Sequence, residues 1–194
     1  MDLILIFVGA AFINNFVLTQ FLGMCPYFGV SKRMETAVGM GLSVTFVAIL
    51  GAAITYLFYT YVLSPFNMEY LQTIVFILII ASIVQFLEVF MKKTFRTLYA
   101  LLGVYLPMIT VNCVIIGVAL INIRDNHGFM DAIANSVGAG FGFLLAIVLL
   151  AGMREKYDHD LSIPMVFRGF PLALFSAGLM SIAFMGFQGL VIGR

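Results

Sequence analysis

Charged residues are scarce in this chain of 194 residues. Asp, Glu, Lys and Arg make up 10% of it, while 63% of its residues are hydrophobic. A soluble domain carries about 25% charged residues, so the composition excludes an ordinary water-soluble fold. The net charge is only +1, which excludes the basic field typical of nucleic-acid binding. We therefore expect an integral membrane protein in a lipid bilayer, with no nucleic-acid partner.

A cleavable secretion signal and a β-barrel pattern are also missing. The first residues read MDLILIFVGAAFINN, with Asp2 where a signal peptide has basic residues and with no small-x-small cleavage site after it. This stretch predicts a retained first span. No apolar segment alternates with the period of two that a barrel strand needs, so the predicted spans are helices.

Six apolar segments are long enough to cross a bilayer, for which a helix needs about 20 residues. These segments are 3–22, 37–63, 70–91, 98–121, 132–153 and 171–192. The sequence therefore predicts an all-α, six-helix membrane bundle that forms one transmembrane domain over residues 1–194.

Basic residues predict the orientation of these helices. Eight of the ten Lys and Arg residues fall in the loops after the first, third and fifth spans: Lys32, Arg33, Lys92, Lys93, Arg96, Arg154, Lys156 and Arg168. Short cytoplasmic loops are enriched in Lys and Arg. We therefore expect both termini on the outer side of the membrane.

Two stretches of the chain resemble each other and indicate an internal repeat. VGMGLSVTFVAIL at 38–50 is similar to VGAGFGFLLAIVL at 137–149, and an asparagine interrupts the apolar run upstream of each. Two units of three helices, about 1–92 and 97–194, would be inverted relative to each other because each has an odd number of spans. Inverted repeats recur in transporters, although chance similarity between Gly-rich apolar stretches is the alternative.

Asparagines in the first and fourth spans mark candidate helix breaks. Asn15 lies about 18 Å and Asn112 about 21 Å along their spans, near the middle of a hydrocarbon core about 30 Å thick. Such amides either form hydrogen bonds between helices or satisfy backbone groups at a break. Prolines near both sites favour breaks, since proline removes a helical hydrogen bond. The candidates for these supporting roles are Asn14, Asn15, Pro26, Pro107 and Asn112.

Glu88 is the weak candidate for an ion path. It lies near the end of the third span beside Gln85, and Lys92 follows four residues later. An i,i+4 ion pair at the headgroup level explains this glutamate equally well. The sequence leaves the ion pathway open.

The chain has two cysteines, Cys25 and Cys113, and neither has a CxxC partner. A free cysteine is often only a small buried hydrophobic residue. Two thiols cannot complete a four-cysteine iron–sulfur site or a closed zinc site. If they bind metal, a second chain must supply the other ligands.

Three long segments carry a family resemblance. They are NNFVLTQFLGMCPYFGVSK (14–32), LPMITVNCVIIGVAL (106–120) and FRGFPLALFSAGLMSIAFMGFQGLV (167–191). With these segments, the sequence resembles the A-subunit family of Rnf-type ion-translocating electron-transport complexes. The related E-subunit of the Na⁺-translocating NADH:quinone reductase has the same architecture.

This resemblance implies a function and a cofactor. It implies pairing with a homologous membrane subunit of opposite topology and a [2Fe–2S] cluster with two cysteines from each, here Cys25 and Cys113. The complex would relay electrons between ferredoxin and NAD in the prokaryotic cytoplasmic (inner) membrane, coupled to Na⁺ or H⁺ transport. Flavins, NAD and other iron–sulfur clusters would belong to other subunits, and this chain would be a non-autonomous part of the enzyme.

Two alternatives remain beside this hypothesis. The chain could be the equivalent subunit of a Na⁺-translocating NADH:quinone reductase. An inverted-repeat secondary carrier without a redox role would share the repeats, but it should have a polar site at the midplane. A purely structural subunit would need no cysteine pair.

The depths of the two cysteines conflict if the helices are straight. Cys25 would lie about 33 Å along a first helix that begins at residue 3, close to the cytoplasmic boundary. Cys113 would lie about 22 Å from that boundary. We therefore predict that spans 1 and 4 are broken near Asn14, Asn15 and Asn112, so that the chain around Cys25 returns toward Cys113.

Overall fold

The computed structural model describes residues 3–64, 69–94, 106–158 and 169–189. The described residues form α-helices and contain no strand. The helices are α1 (Leu3–Val8), α2 (Met24–Val30), α3 (Met34–Phe58), α4 (Gln72–Thr94), α5 (Leu106–Thr110), α6 (Cys113–Arg124), α7 (Phe129–Asp158) and α8 (Phe170–Gly189). Single π-helical turns, Gly9–Ile13 and Tyr59–Leu63, extend α1 and α3, and a 3₁₀ turn at Glu69–Leu71 precedes α4.

The helices confirm the predicted class of protein. Four helical stretches are long and apolar enough to cross a membrane: Met34–Leu63, Gln72–Phe90, Pro107–Arg124 and Phe129–Tyr157. Two shorter apolar helices are Leu3–Ile13 and Phe170–Gly186. The predicted spans at 98–121 and 171–192 extend into residues 98–105 and 190–192, which lie outside the described residues. Six spans in two inverted halves therefore stay a prediction.

The core lies where α3 packs against α7. Met40 and Val44 of α3 and Phe143 and Ile147 of α7 are fully buried. A Cβ on Gly140 would lie 2.8 Å from the Cα of Thr45, so the two backbones are almost in contact there. Small residues permit such close approach between membrane helices. The two Gly-rich stretches that resemble each other in sequence thus pack against one another.

The helix α7 is longer than the predicted fifth span. We expected Arg154 and Lys156 in a loop after residue 153, but α7 continues to Asp158 and includes both. Arg, Glu and Lys are good helix formers, so charge alone did not end the helix. Assigning these two residues to a loop was wrong.

The predicted break in the first span is present. The π-helical turn ends at Ile13, where the Asn14 backbone N–H donates to the Gly9 carbonyl at 2.7 Å, and the next helix begins at Met24. π-Helical turns inside α-helices are rare and are frequent at functional sites. The connection between α1 and α2 folds on itself, since the Leu22 N–H donates to the Phe16 carbonyl at 2.9 Å.

The second break lies at Asn112. The helix α5 ends at Thr110 and α6 begins at Cys113, with Asn112 as its N-cap. Pro107 lies within α5, before this break. Residues 95–105, which precede α5, lie outside the described residues, so the predicted effect of Pro107 on the helix stays a prediction.

Candidate functional site

Both cysteines lie at the beginnings of helices. Cys25 is the second residue of α2 and Cys113 is the first residue of α6, and both are free and exposed. Neither thiol is therefore buried by this chain itself. Backbone N–H groups in the first turn of a helix lack helical partners, and the positive end of the helix dipole favours an anion such as a thiolate.

The starts of these two helices are in contact through Gly23. A Cβ on Gly23 would lie 2.5 Å from Cγ2 of Val114 and 3.2 Å from Oδ1 of Asn112. Gly23 also has a φ of +77°, which residues with a Cβ adopt at a steric cost. The residues that flank Cys25 and Cys113 therefore touch, as the predicted breaks require.

Asn15 stabilises the break in the first span with both ends of its amide. Its Oδ1 accepts hydrogen bonds from the backbone N–H groups of Val17 at 3.1 Å and Leu18 at 3.4 Å. Its Nδ2 donates to the carbonyls of Gly142 at 3.0 Å and Ala11 at 3.3 Å. Asn15 thus satisfies freed backbone groups and joins α7 to the break, so both predicted roles of this amide are present.

The last helix also holds the connection between α1 and α2. The buried Ser181 hydroxyl on α8 donates to the Leu18 carbonyl. The Tyr27 hydroxyl of α2 lies 3.8 Å from Sδ of Met180. The connection that leads to Cys25 is therefore fixed by α7 and α8 together.

Asn112 differs from Asn15 because half of its amide has no partner. Its Oδ1 accepts from the Val114 N–H at 3.0 Å and so caps α6. Its Nδ2 is buried, and among the described residues it has no hydrogen-bond acceptor. An unsatisfied buried donor costs about 1–3 kcal/mol.

Arg154 of α7 holds the other end of the cysteine helix α2. Its Nη1 donates to the Phe28 carbonyl and to the Ser31 hydroxyl, both at 2.8 Å. Ser31 is fully buried. A cation at a helix C-terminus interacts favourably with the helix dipole and the free carbonyls there. The sequence indicated only a role in topology for Arg154.

Replacing Arg154 with methionine should loosen α2. A hydrogen bond to a charged group contributes about 1.5–3 kcal/mol, and without it α2 loses its anchor on α7. We expect maleimide to alkylate Cys25 several-fold faster in the purified protein, measured by mass spectrometry of the Cys25 peptide. Arg33→Met is the control, since Arg33 is exposed, and should leave the rate unchanged. Equal rates in Arg154→Met and the unaltered protein would show that Arg154 does not position α2.

A groove of about 640 Å³ opens beside Cys25. It is lined by Met24, Cys25, Phe28, Gly29, Lys32, Arg154, Gly169 and Phe170. The rings of Phe28 and Phe170 are 5.4 Å apart and join α2 to the start of α8. Lys32 and Arg154 make this groove positive, which favours an anion near the Cys25 thiol.

The remaining predicted residues lie in three different places. Pro26 is the third residue of α2 and is buried. Glu88 is half-buried on α4, with Gln85 exposed on the same helix. Asn14 is exposed at the end of the first π-helical turn.

A buried polar network between α6 and α7 was not predicted from the sequence. Asn135 Nδ2 donates to Asn122 Oδ1 at 2.6 Å, and Asn122 Nδ2 donates to the Ser136 hydroxyl at 3.3 Å. All three side chains are buried. Beside them is a cavity of about 390 Å³ that is also lined by Asn14 and His127. The signal available in the sequence was Asn122, directly after the fourth predicted span, and Asn135, near the start of the fifth.

The two cysteines would fit half of a four-cysteine metal site. Among the parts of the chain that the structure describes, no three His, Cys, Asp or Glu side chains come together in a group that could hold a metal ion. Cys25 and Cys113, at two helix starts in contact, offer two thiol groups. A [2Fe–2S] cluster held by four cysteines would therefore need two more from another chain.

Known proteins are similar to this chain over nearly its whole length. The family model described as "Rnf-Nqr subunit, membrane protein" matches residues 3–191. The chain is 55% identical over 193 residues to the A-subunit of the Na⁺-translocating ferredoxin:NAD⁺ oxidoreductase complex of Acetobacterium woodii, and the match covers 100% of both chains. It is 53% identical over 190 residues to the A-subunit of the ion-translocating oxidoreductase complex of Vibrio campbellii, with 98% of each chain covered. The chain therefore belongs to the Rnf-Nqr family of membrane subunits.

Proposed function

We propose that this chain is the A-type membrane subunit of an Rnf ion-translocating ferredoxin:NAD oxidoreductase complex. In this role Cys25 and Cys113 hold half of an intramembrane [2Fe–2S] cluster. The observation that carries the proposal is the contact between two helix starts that each bear an exposed, free cysteine. The relative from Acetobacterium woodii, 55% identical, is named as a subunit of such a complex.

The surroundings of the two thiols suit an anionic group. When bound, a [2Fe–2S] cluster accepts and passes on single electrons. The N–H groups at the starts of α2 and α6 offset its negative charge, and Lys32 and Arg154 lie in the groove beside Cys25. Gly23 lets the two helix starts touch, Asn15 ties the connection before α2 to α7, and Arg154 fixes the far end of α2.

A partner must cover this part of the chain. Irregular backbone at membrane depth is tolerated only where protein or a water-filled cavity surrounds it. The two exposed thiols beside the break therefore face another protein chain. We assign this place to a homologous membrane subunit of opposite topology, which brings the other two cysteines.

The rest of the enzyme belongs to other subunits. They carry the flavins, the NAD site and the further iron–sulfur clusters, so this chain acts only within the whole oxidoreductase of the prokaryotic inner membrane. Electron transfer through the cysteine site is coupled to transport of Na⁺ or H⁺. Within the chain, two inverted three-helix repeats place one cysteine helix in each half.

Purification of the intact complex tests this function. We expect iron and acid-labile sulfide with the membrane subunits, and the electron paramagnetic resonance signal of a reduced [2Fe–2S] cluster. The equivalent subunit of a NADH:quinone reductase would give the same signal but with quinone instead of ferredoxin as redox partner. An iron-free membrane pair that still transports ions would instead support a secondary carrier.

The orientation of the chain is tested by labelling engineered cysteines. A membrane-impermeant maleimide should label Asp2→Cys and Asp125→Cys in intact cells, because both positions are predicted to lie outside. Lys93→Cys should react only after the membrane is permeabilised. The unaltered chain gives the background from Cys25 and Cys113. Labelling of Lys93→Cys in intact cells would reverse the predicted topology.

A further inference from the structure

Asn112 has an amide nitrogen that no described residue of the chain accepts a hydrogen bond from. The side chain is 1% exposed, and its Oδ1 is taken by the Val114 N–H at 3.0 Å. Its Nδ2 has no acceptor among the described residues. Buried polar groups nearly always have a partner. The described residues therefore leave this donor without the acceptor that a buried amide needs.

The position of this amide indicates what the acceptor is. Asn112 directly precedes Cys113, and its Oδ1 lies 3.2 Å from the point that a Cβ on Gly23 would occupy. The amide is thus located where the start of α2 meets the start of α6. Both cysteines of the chain are within two residues of this contact, at Cys25 and Cys113.

We propose that Asn112 Nδ2 donates a hydrogen bond to a sulfur of the [2Fe–2S] cluster held by Cys25 and Cys113. This inference rests on the proposed function and adds a donor that tunes the cluster. Reduction adds negative charge, much of it on the sulfur atoms, so a hydrogen-bond donor there stabilises the reduced state more than the oxidised state. Hydrogen bonds to sulfur are among the factors that set the potential of such clusters. Asn112 therefore raises the reduction potential.

Asn135 provides a matched control. It is also a buried asparagine, but its Nδ2 already donates to Asn122 Oδ1. The same substitution at both positions removes an amide in each case. Only at position 112 does it remove a donor that the described residues leave without an acceptor.

A redox titration of the purified complex, followed by electron paramagnetic resonance, tests the proposal. Asn112→Gly removes the donor without adding charge, and glycine is an acceptable N-cap. At a fixed ambient potential we expect the ratio of reduced to oxidised cluster to fall about tenfold, which is a shift of about 59 mV for one electron. Asn112→Ser keeps a neutral capping oxygen and serves if the glycine variant does not fold; it should shift the potential in the same direction.

Asn135→Gly should give the opposite pattern. We expect its melting temperature to fall, because a buried hydrogen bond between α6 and α7 is lost, while the cluster potential stays that of the unaltered complex. An unchanged potential in the Asn112 variants, with a normal [2Fe–2S] signal, would overturn the donor role and leave the cluster assignment intact. Absence of any cluster signal in the unaltered complex would overturn the proposed function and this inference together.

Discussion

Serine in place of Cys25 or Cys113 is expected to abolish electron transfer through the complex. Each substitution removes one of only two thiolates that the chain offers, and a serine hydroxyl does not replace a thiolate as an iron ligand. The loss should exceed about 100-fold, since removing an outer-shell partner alone typically costs 10–100-fold. Ferredoxin-dependent NAD reduction by membranes and the iron content of the purified complex measure it.

Assembly should survive these substitutions in part. Both cysteine side chains are exposed in the chain, so the helices that carry them keep their own packing. Met24→Leu, next to Cys25 on α2, is the matched control and should retain both iron and activity. Ferredoxin-dependent NAD reduction at the normal rate in either serine variant would refute the ligand assignment.

Alanine at Gly23 should separate the two cysteine helices. The new Cβ would lie 2.5 Å from Cγ2 of Val114, and the backbone has a φ of +77°. The left-handed conformation costs a residue with a Cβ about 1–2 kcal/mol, and overpacking costs a further 1–3 kcal/mol. The start of α2 must move away from α6, so we expect loss of iron together with a lower melting temperature.

Gly178→Ala is the control for this substitution. Gly178 lies on α8, and a Cβ there would meet nothing within 4 Å. The change should leave iron content and stability nearly unaltered, as is usual for surface substitutions. If Gly23→Ala and Gly178→Ala behaved alike, the contact between α2 and α6 would not be needed for the site.

The helix breaks could be predicted from the sequence, because they depend on residues that are close together in the chain. An asparagine in an apolar run is costly in lipid, and this is why the breaks at Asn15 and Asn112 were visible. The predicted effect of Pro107 depends on the residues before Leu106, which lie outside the described residues, because proline interrupts a helix from within but is tolerated in its first turn.

Features that depend on distant residues could not be predicted. Arg154 bonds to Phe28, 126 residues away in sequence, and the sequence offers no pattern that pairs them. The end of α7 was misplaced for a related reason, since charges at the end of an apolar helix are compatible with loop or helix. The exposure of both thiols follows from packing that no periodicity reveals.

The contacts of the first break can form only late in the synthesis of this protein. The connection after α1 is held by Gly142 and by Ser181, which are 127 residues from Asn15 and 163 residues from Leu18. At about 5–20 residues per second, the second partner emerges roughly 8–33 s after the segment it secures. Until then, backbone N–H and C=O groups of this connection lack partners and are unstable in lipid. The nascent segment must therefore stay within the insertion machinery. If Cys25 holds the proposed cluster, its loading would therefore be a late step of biogenesis, after α8 has been inserted.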